Sequence, residues 1–583
     1  MRRYQSTVLS SKPLPSLSLW TALLGVLCLA TIAPACVGDV GPAGPSGVKG
    51  ADGAPGAPGN DGTNGANGTH GNDGAPGKDA TVDPALSPVE KALLAAGGKA
   101  ALLGLKTISF DAAGGQWLTD ESFSAADPSV QSGTFSMTLS YDVAADKLRL
   151  DYKRDIEFAI FKGHTEYSEI MPGQVGYVLG SDSLFGAPGG NMTSDRWASG
   201  RKQQRLLNPQ LLLREIASDP SLASDGGAAV LDGSLHHLVV VKDAVHPITL
   251  FVNAATGTID KLVTLESDYL HRDVTIEVFY EGWAPAAGGL SFPEEVYLAR
   301  DGDMIRSEAR SAVKVDSALD ASLFDLPAGA SPTHDDALAQ WGEESPQSDQ
   351  MFSGAGLAHD GQQLFVSANA IAPGVYHLTG GSHHTLAVEQ ANGIVLVDAP
   401  LYELRSLAIL DRVKATFPSK PVTHVIATHF HQDHTGGMRT FVAKGAIAVV
   451  GAASKPFYER LFAAPSTVVP DALALAPTKA VIQTIPAGGS FTIPDALRPV
   501  TAYAITSSHA EDMLMAYAPS QQVAYVTDIY NPSSPPFVPP PFLTYGLELH
   551  AAIVGLGLPV AKIAGGHGGA PNTFAEFKAA LGL

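Results

Sequence analysis

"THFHQDHTGG", residues 428–437, sets His429, His431, Asp433 and His434 in the pattern H-x-H-x-D-H. Neutral imidazole and carboxylate are good ligands for Zn²⁺, with bonds of about 2.0–2.2 Å. His429 and His431 share a face on a strand and diverge on a helix, so they meet one ion only in a tight loop. The glycines that follow let such a loop close and a helix begin. Asp433 and His434 then point to a second position. One ion with four protein ligands is closed and structural. Two ions with open positions can share a water and ionise it.

The flanking sequence supplies more such groups at the ends of apolar runs. "GIVLVDAP" carries Asp398, "VTHVIATH" leads into His429, "QQVAYVTD" ends at Asp528 and "VAKIAGGHGG" leads into His567. His509, in "TSSHAEDMLMAY", stands at a strand start. Continuous apolar runs indicate strands buried on both faces. Groups at their ends line one rim of a sheet, so residues far apart in sequence can meet. Asp512 is read either as a partner orienting His509 or as a turn residue. His383, His384, His424 and His550 are read as lying outside the chemistry.

"THFHQDHTGG", His509, "AYVTDIY" and "AGGHGG" resemble the successive motifs of the metallo-β-lactamase-fold hydrolases, and "GIVLVDAP" resembles that family's first motif. The resemblance covers residues 372–583. It implies a four-layer αββα sandwich. It also implies that His429, His431 and His509 bind one metal, that Asp433, His434 and His567 bind a second, and that Asp528 bridges them. Asp398 resembles the family's support residue; a strand-end cap is the other reading. Two Zn²⁺ per chain are expected, and iron and manganese share the same ligand preferences.

The rest of the chain frames that domain. Its 583 residues suggest several domains, and its formal charge of -21 disfavours nucleic acid as a partner. Arg2, Arg3 and Lys12 precede an apolar run ending in "APAC", which resembles a bacterial lipoprotein signal with Cys36 as the lipidated residue. The expected location is the cell envelope, lipid-anchored at a membrane; an ordinary cleaved signal or a retained anchor is the alternative. Cys28 and Cys36 are the two cysteines, so a processed chain has no internal disulfide and no thiolate cluster. From Gly41 to Gly77 glycine takes every third position, in thirteen collagen-like triplets. A triple helix demands this period and would make a trimer. With five prolines in the twenty-six other positions, a flexible spacer reads the same way.

The expected organisation is a signal over 1–35, the Gly-X-Y spacer over 36–80, a β-rich domain over 84–330, a linker over 331–350 and the hydrolase domain over 351–583. Residues 84–106 and "NPQLLLREIA" read as helical. "GTFSMTLSYD", "DKLRLDYK" and "DVTIEVFY" alternate with period two, the pattern of an antiparallel sheet with one buried face. This region faintly resembles the half-barrel of periplasmic lipoprotein carriers. The fold class is therefore α+β.

The expected function is dinuclear metal-dependent hydrolysis of an ester, lactone or similar acyl bond by a bridging hydroxide, with Asp433 and Asp528 holding the nucleophile. The alternatives are thioesterase or β-lactamase activity, or a mainly ligand-binding surface lipoprotein with an accessory hydrolase domain. The stiff loop "IYNPSSPPFVPPPFLTYG" follows Asp528, and no Lys or Arg occurs between Arg498 and Lys562. A small neutral or apolar substrate is expected, because anionic groups are usually clamped by Arg or Lys.

Overall fold

Period-two alternation becomes antiparallel pairing across residues 107–315. In the strand Val130–Asp142, Phe135, Met137 and Leu139 are buried while Thr134, Ser136 and Thr138 face solvent. In Arg272–Glu281 the buried apolar set is Val274, Ile276, Val278 and Tyr280. The structure is a computed structural model that describes residues 83, 85–158, 161–182, 184, 189–344 and 364–583. The expected signal segment, Cys36, the Gly-X-Y spacer and residues 351–363 lie outside the described residues.

Thirteen strands form one antiparallel sheet. The chain runs outward from Thr107–Leu118 to the edge strand Asn191–Met192. It crosses through the helices Ser194–Leu207 and Pro209–Ser218 to the opposite edge at Ala223–Leu231. It then returns until Asp303–Val315 pairs with Thr107–Leu118. The sheet's apolar face is covered by the protein's own helices: Leu207, Leu212 and Ile216 share a core with Phe110, Leu150 and Val278. The helical stretch expected over 84–106 is two short helices, Pro88–Ala95 and Lys99–Gly104. Gly97 and Gly98 separate them at φ of +115° and +91°, which an L side chain resists.

The segment expected as a polar linker differs from its reading, because Asp336–Glu344 is a helix. Asp335 accepts from the Leu338 N–H at 2.9 Å, and Trp341 packs edge-on to Tyr402 with ring centroids 5.1 Å apart. A side-chain cap, the Trp341 contact and the bonds from Ser199 Oγ to the Gly342 carbonyl at 2.8 Å and from Lys202 to the Glu343 carbonyl at 2.9 Å hold a helix too short to show periodicity.

The C-terminal half has a seven-stranded and a six-stranded sheet. Val395, Val397, Ile426 and Val449 of the first pack against Val500, Ala516, Val523 and Ala564 of the second. Helices Glu403–Thr416, Met438–Ala443 and Lys455–Ala463 cover the outer face of the first sheet through Ile409, Phe441 and Leu461. Leu543–Gly555 and Phe574–Ala580 cover the second through Leu549, Ile553 and Phe577. The layers run αββα. The continuous apolar runs Ile394–Val397 and Val523–Val526 are buried at every position because both their faces are covered. Each such side chain contributes roughly 1.5–3 kcal/mol, stability that offsets the cost of gathering charged groups at the rim.

The described residues form one unit. The hairpin tip Tyr269–Leu270 of the thirteen-stranded sheet enters the core beneath the helices of the C-terminal half. Beside it, Arg272 donates to Ser466 Oγ at 3.2 Å and to the Val469 carbonyl at 3.0 Å.

Candidate metal centre

Strand direction decides which residues reach the rim. Ile394–Val397 and Val422–Ile426 run parallel, as do Val523–Val526 and Lys562–Gly565. Their carboxyl ends therefore deliver Asp398, His429, Asp528 and His567 to one edge. The antiparallel neighbours Thr385–Glu389 and Leu514–Ala518 begin at that same edge. The loops before them carry His383 and His509.

Two clusters form there. His429, His431, His509 and Asp528 make one; His383, Asp433, His434 and His567 make the other. In the first, His429 Nε2 lies 3.3 Å from His509 Nε2 and 3.2 Å from Asp528 Oδ2, which is 3.4 Å from His509 Nε2. In the second, His434 Nε2 lies 3.2 Å from His567 Nε2 and 3.3 Å from Asp433 Oδ2. Asp528 touches this cluster too, with Oδ2 3.0 Å from His434 Nε2 and Oδ1 3.0 Å from His567 Nε2. Two atoms bound at about 2.0–2.1 Å to one tetrahedral ion stand about 3.3 Å apart.

In His431 and His567 the other ring nitrogen is occupied, as metal-ligating histidines require. His431 Nε2 donates to the Ser122 carbonyl at 2.9 Å, which leaves Nδ1 as its ligating atom. His567 Nδ1 donates to the Ser382 carbonyl at 2.9 Å, which leaves Nε2. Ring nitrogens that converge without protons between them suit a cation at the centre, so the donor set fits zinc-class ions.

The electrostatics agree. Burial alone would raise the carboxyls of Asp433 and Asp528, but His434 foremost outweighs it and holds both well below the usual carboxylate range. Burial likewise opposes a charge on His434, yet Asp433 and Asp528 hold its imidazole well above the usual value. A positive charge is favoured between these carboxylates, and a metal ion supplies one. Burial and the neighbouring His429 and His509 push His431 well down, leaving it neutral and able to bind metal.

All seven residues expected as ligands thus lie in the two clusters. Asp398, at φ +65° and fully buried, accepts from the Thr428 N–H at 2.9 Å and stands 3.7 Å from His434 Nδ1. Asp512 turns away from the orienting role considered for it and accepts from the Ser454 N–H at 2.5 Å. His509 packs instead against Tyr545, with ring centroids 5.4 Å apart.

Two residues escaped the sequence reading. His383, expected to lie outside the chemistry, donates from Nε2 to Asp433 Oδ2 at 2.9 Å and accepts at Nδ1 from Ser382 Oγ at 2.7 Å. Burial and His567 push it down to about 3, so it is a neutral ring that orients Asp433. Its loop is clamped by Arg405, which donates to the carbonyls of Gly380 at 2.6 Å and His383 at 3.0 Å. Glu121, from the β-rich half, brings Oε2 to 3.5 Å from His431 Nδ1. Burial, then Asp433 and Asp528, push its carboxyl well above the ordinary value. A strand that starts at the rim could have flagged His383; nothing in the sequence marks Glu121.

Residues 378–567 match the family model of the Metallo-beta-lactamase superfamily, and residues 34–82 match that of the Collagen triple helix repeat (20 copies). No curated protein matches the chain. Among solved structures it is similar to a metallo-beta-lactamase from Pontibacter korlensis, at 16% identity over 38% of this chain and 98% of that one, with a TM-score of 0.28. It is also similar to the metallo-beta-lactamase FIM-1 from Pseudomonas aeruginosa in its mono-zinc form. That match has 18% identity over 37% of this chain and 94% of that one, with a TM-score of 0.29. The matched segment contains every residue of both clusters, and residues 378–567 are a metallo-β-lactamase superfamily domain.

Proposed function

We propose that this domain is a metal-dependent hydrolase that holds two zinc-class ions and cleaves a neutral or apolar acyl substrate such as an ester or lactone. His429, His431 and His509 would hold the first ion and Asp433, His434 and His567 the second, with Asp528 available to both. The contact of Asp528 with both clusters carries the reading. Ions held there would supply an activated water and polarisation of an acyl carbonyl. Asp433 takes the His383 proton donor on Oδ2, and its Oδ1 has no hydrogen-bond partner among the described residues. That atom is left for an ion or for the attacking water. Asp398 ties the Thr428 N–H and thereby holds the loop that carries His429.

The burial of Arg439 supports a neutral substrate class. Arg439 is buried and bound to Asp471 at 2.6 Å and to the Leu461 carbonyl at 2.6 Å. Lys455 pairs with Glu459 at 2.9 Å. Arg439 is thereby committed inside the fold, whereas the exposed Lys455–Glu459 pair is weak. The proline-rich loop after Asp528 leads into the helix whose Tyr545 packs on His509, and Phe537, Leu543 and Leu547 are exposed along this stretch. Apolar surface beside the site suits an apolar acyl group.

On matched substrates the zinc-loaded protein should hydrolyse neutral esters with higher kcat/KM than phosphodiesters. A tenfold preference for the phosphodiester, about 1.4 kcal/mol in transition-state binding, would overturn the substrate assignment.

A further inference from the structure

The loop that leaves the strand Thr107–Leu118 does not stay with its own sheet. The Ser122 carbonyl accepts from His431 Nε2 at 2.9 Å, and the Phe123 carbonyl accepts from the Glu511 N–H at 2.8 Å. One contact reaches the H-x-H loop and the other the loop that carries His509. Ala125 packs against the apolar core of the hydrolase domain.

The loop is anchored just before it reaches the rim. Asp120, at φ +60°, accepts from His271 Nε2 at 2.8 Å and from Arg300 Nη2 at 2.9 Å. Arg300 in turn binds Asp268 at 2.8 Å and also contacts Thr119. Beyond the anchor, Ser122 Oγ donates to the Ser124 carbonyl at 2.8 Å. Glu121 is therefore held from both sides, by the ion-pair network behind it and by the bond to His431 ahead of it. Such support is what a ligating group requires to keep its position.

The Nε2 proton of His431 is committed to Ser122, so Nδ1 presents a lone pair toward Glu121 Oε2 at 3.5 Å. At 3.5 Å the carboxyl oxygen and the ring nitrogen are too far apart for an O–H···N hydrogen bond. They can share an ion. Ligand atoms on one tetrahedral ion stand about 3.3 Å apart, and the distances within the first cluster run from 3.2 to 3.4 Å. The Glu121 side chain is largely buried beside His431.

We infer that the β-rich half completes the metal centre, with the carboxylate of Glu121 as a further oxygen ligand to the ion held by His429, His431 and His509. This rests on the reading of the clusters as metal sites. It gives the β-rich half a role in the chemistry: metal loading ties the two halves together, and the 119–125 loop covers one side of the first ion.

The test is metal affinity in the full chain, with Zn²⁺ alone as the probe in competition with a chelating dye, and with the electronic spectrum of the cobalt-substituted protein as a second readout. Glu121→Gln keeps the shape and removes the charge. It should weaken one of the two ions by tenfold or more and shift the cobalt bands of one equivalent, while the metal-free unfolding midpoint stays unchanged. Glu121→Ala should do the same. A wild-type chain that binds two ions, alongside a folded Glu121→Gln or Glu121→Ala chain with the same affinities and spectrum, overturns this inference alone. A wild-type chain that takes up no ion overturns the parent reading and this one with it.

Discussion

Asp528→Ala should lower kcat/KM by roughly 10³-fold or more, about 4 kcal/mol of transition-state stabilisation, while the chain stays folded. The size of the effect follows from position. Asp528 Oδ2 lies 3.2 Å from His429, 3.4 Å from His509 and 3.0 Å from His434, and Oδ1 lies 3.0 Å from His567. Removing it takes the shared anion from both clusters at once and leaves the imidazoles facing one another. The backbone complicates the variant, because Asp528 sits at φ +60°. Alanine there costs about 1–2 kcal/mol, whereas asparagine tolerates that conformation. Asp528→Asn is therefore the control. Both variants should lose activity and metal, and only the alanine should lose stability. Wild-type turnover in Asp528→Ala with unchanged metal content would count against the bridging role.

Gly436→Ala should destabilise the hydrolase half by about 3 kcal/mol, the upper end for overpacking a filled site, and should abolish metal uptake at the second cluster. A Cβ at Gly436 would fall 1.6 Å from the Leu401 carbonyl oxygen and 2.6 Å from a ring carbon of Tyr269. The closer neighbour is backbone and has little room to yield. Around it the two loops are laced together: the Ala399 N–H donates to the His434 carbonyl at 3.0 Å, the Leu401 N–H to the Asp433 carbonyl at 2.9 Å and the Gly437 N–H to the Ala399 carbonyl at 2.9 Å. A methyl group forces these apart and carries Asp433 and His434 with them. The urea midpoint of the metal-free protein reads the effect. A midpoint equal to wild type would show that the loops are not held as closely as described.

The same glycine shows what a sequence conveys and what it leaves out. "HTGG" reads as a loop closing into a helix, and it is one. Yet Gly436 has φ of −55°, which any residue adopts, so its requirement comes from the approach of Leu401, some 35 positions earlier. The site divides in the same manner. Apolar runs that end in Asp398, His429, Asp528 and His567 are legible because burial on both faces erases alternation and strand ends then mark the rim. His383 stands at a strand start, and its place follows only once Thr385–Glu389 is known to run antiparallel to Ile394–Val397. Glu121 is invisible for a stronger reason: 310 positions separate it from His431, and its position depends on how the two halves pack. The β-rich half was legible as strands through Phe135, Met137 and Leu139. That its apolar face would be covered by Leu212 and Ile216 was not, since periodicity names a buried face but not what buries it.

The most direct test of the account is metal stoichiometry. The purified full chain, saturated with zinc and freed of loose metal, should contain close to two equivalents by elemental analysis. Asp528→Ala should contain markedly less. One tightly held ion that resists chelation, with no second equivalent bound on saturation, would contradict a centre in which Asp528 joins two clusters.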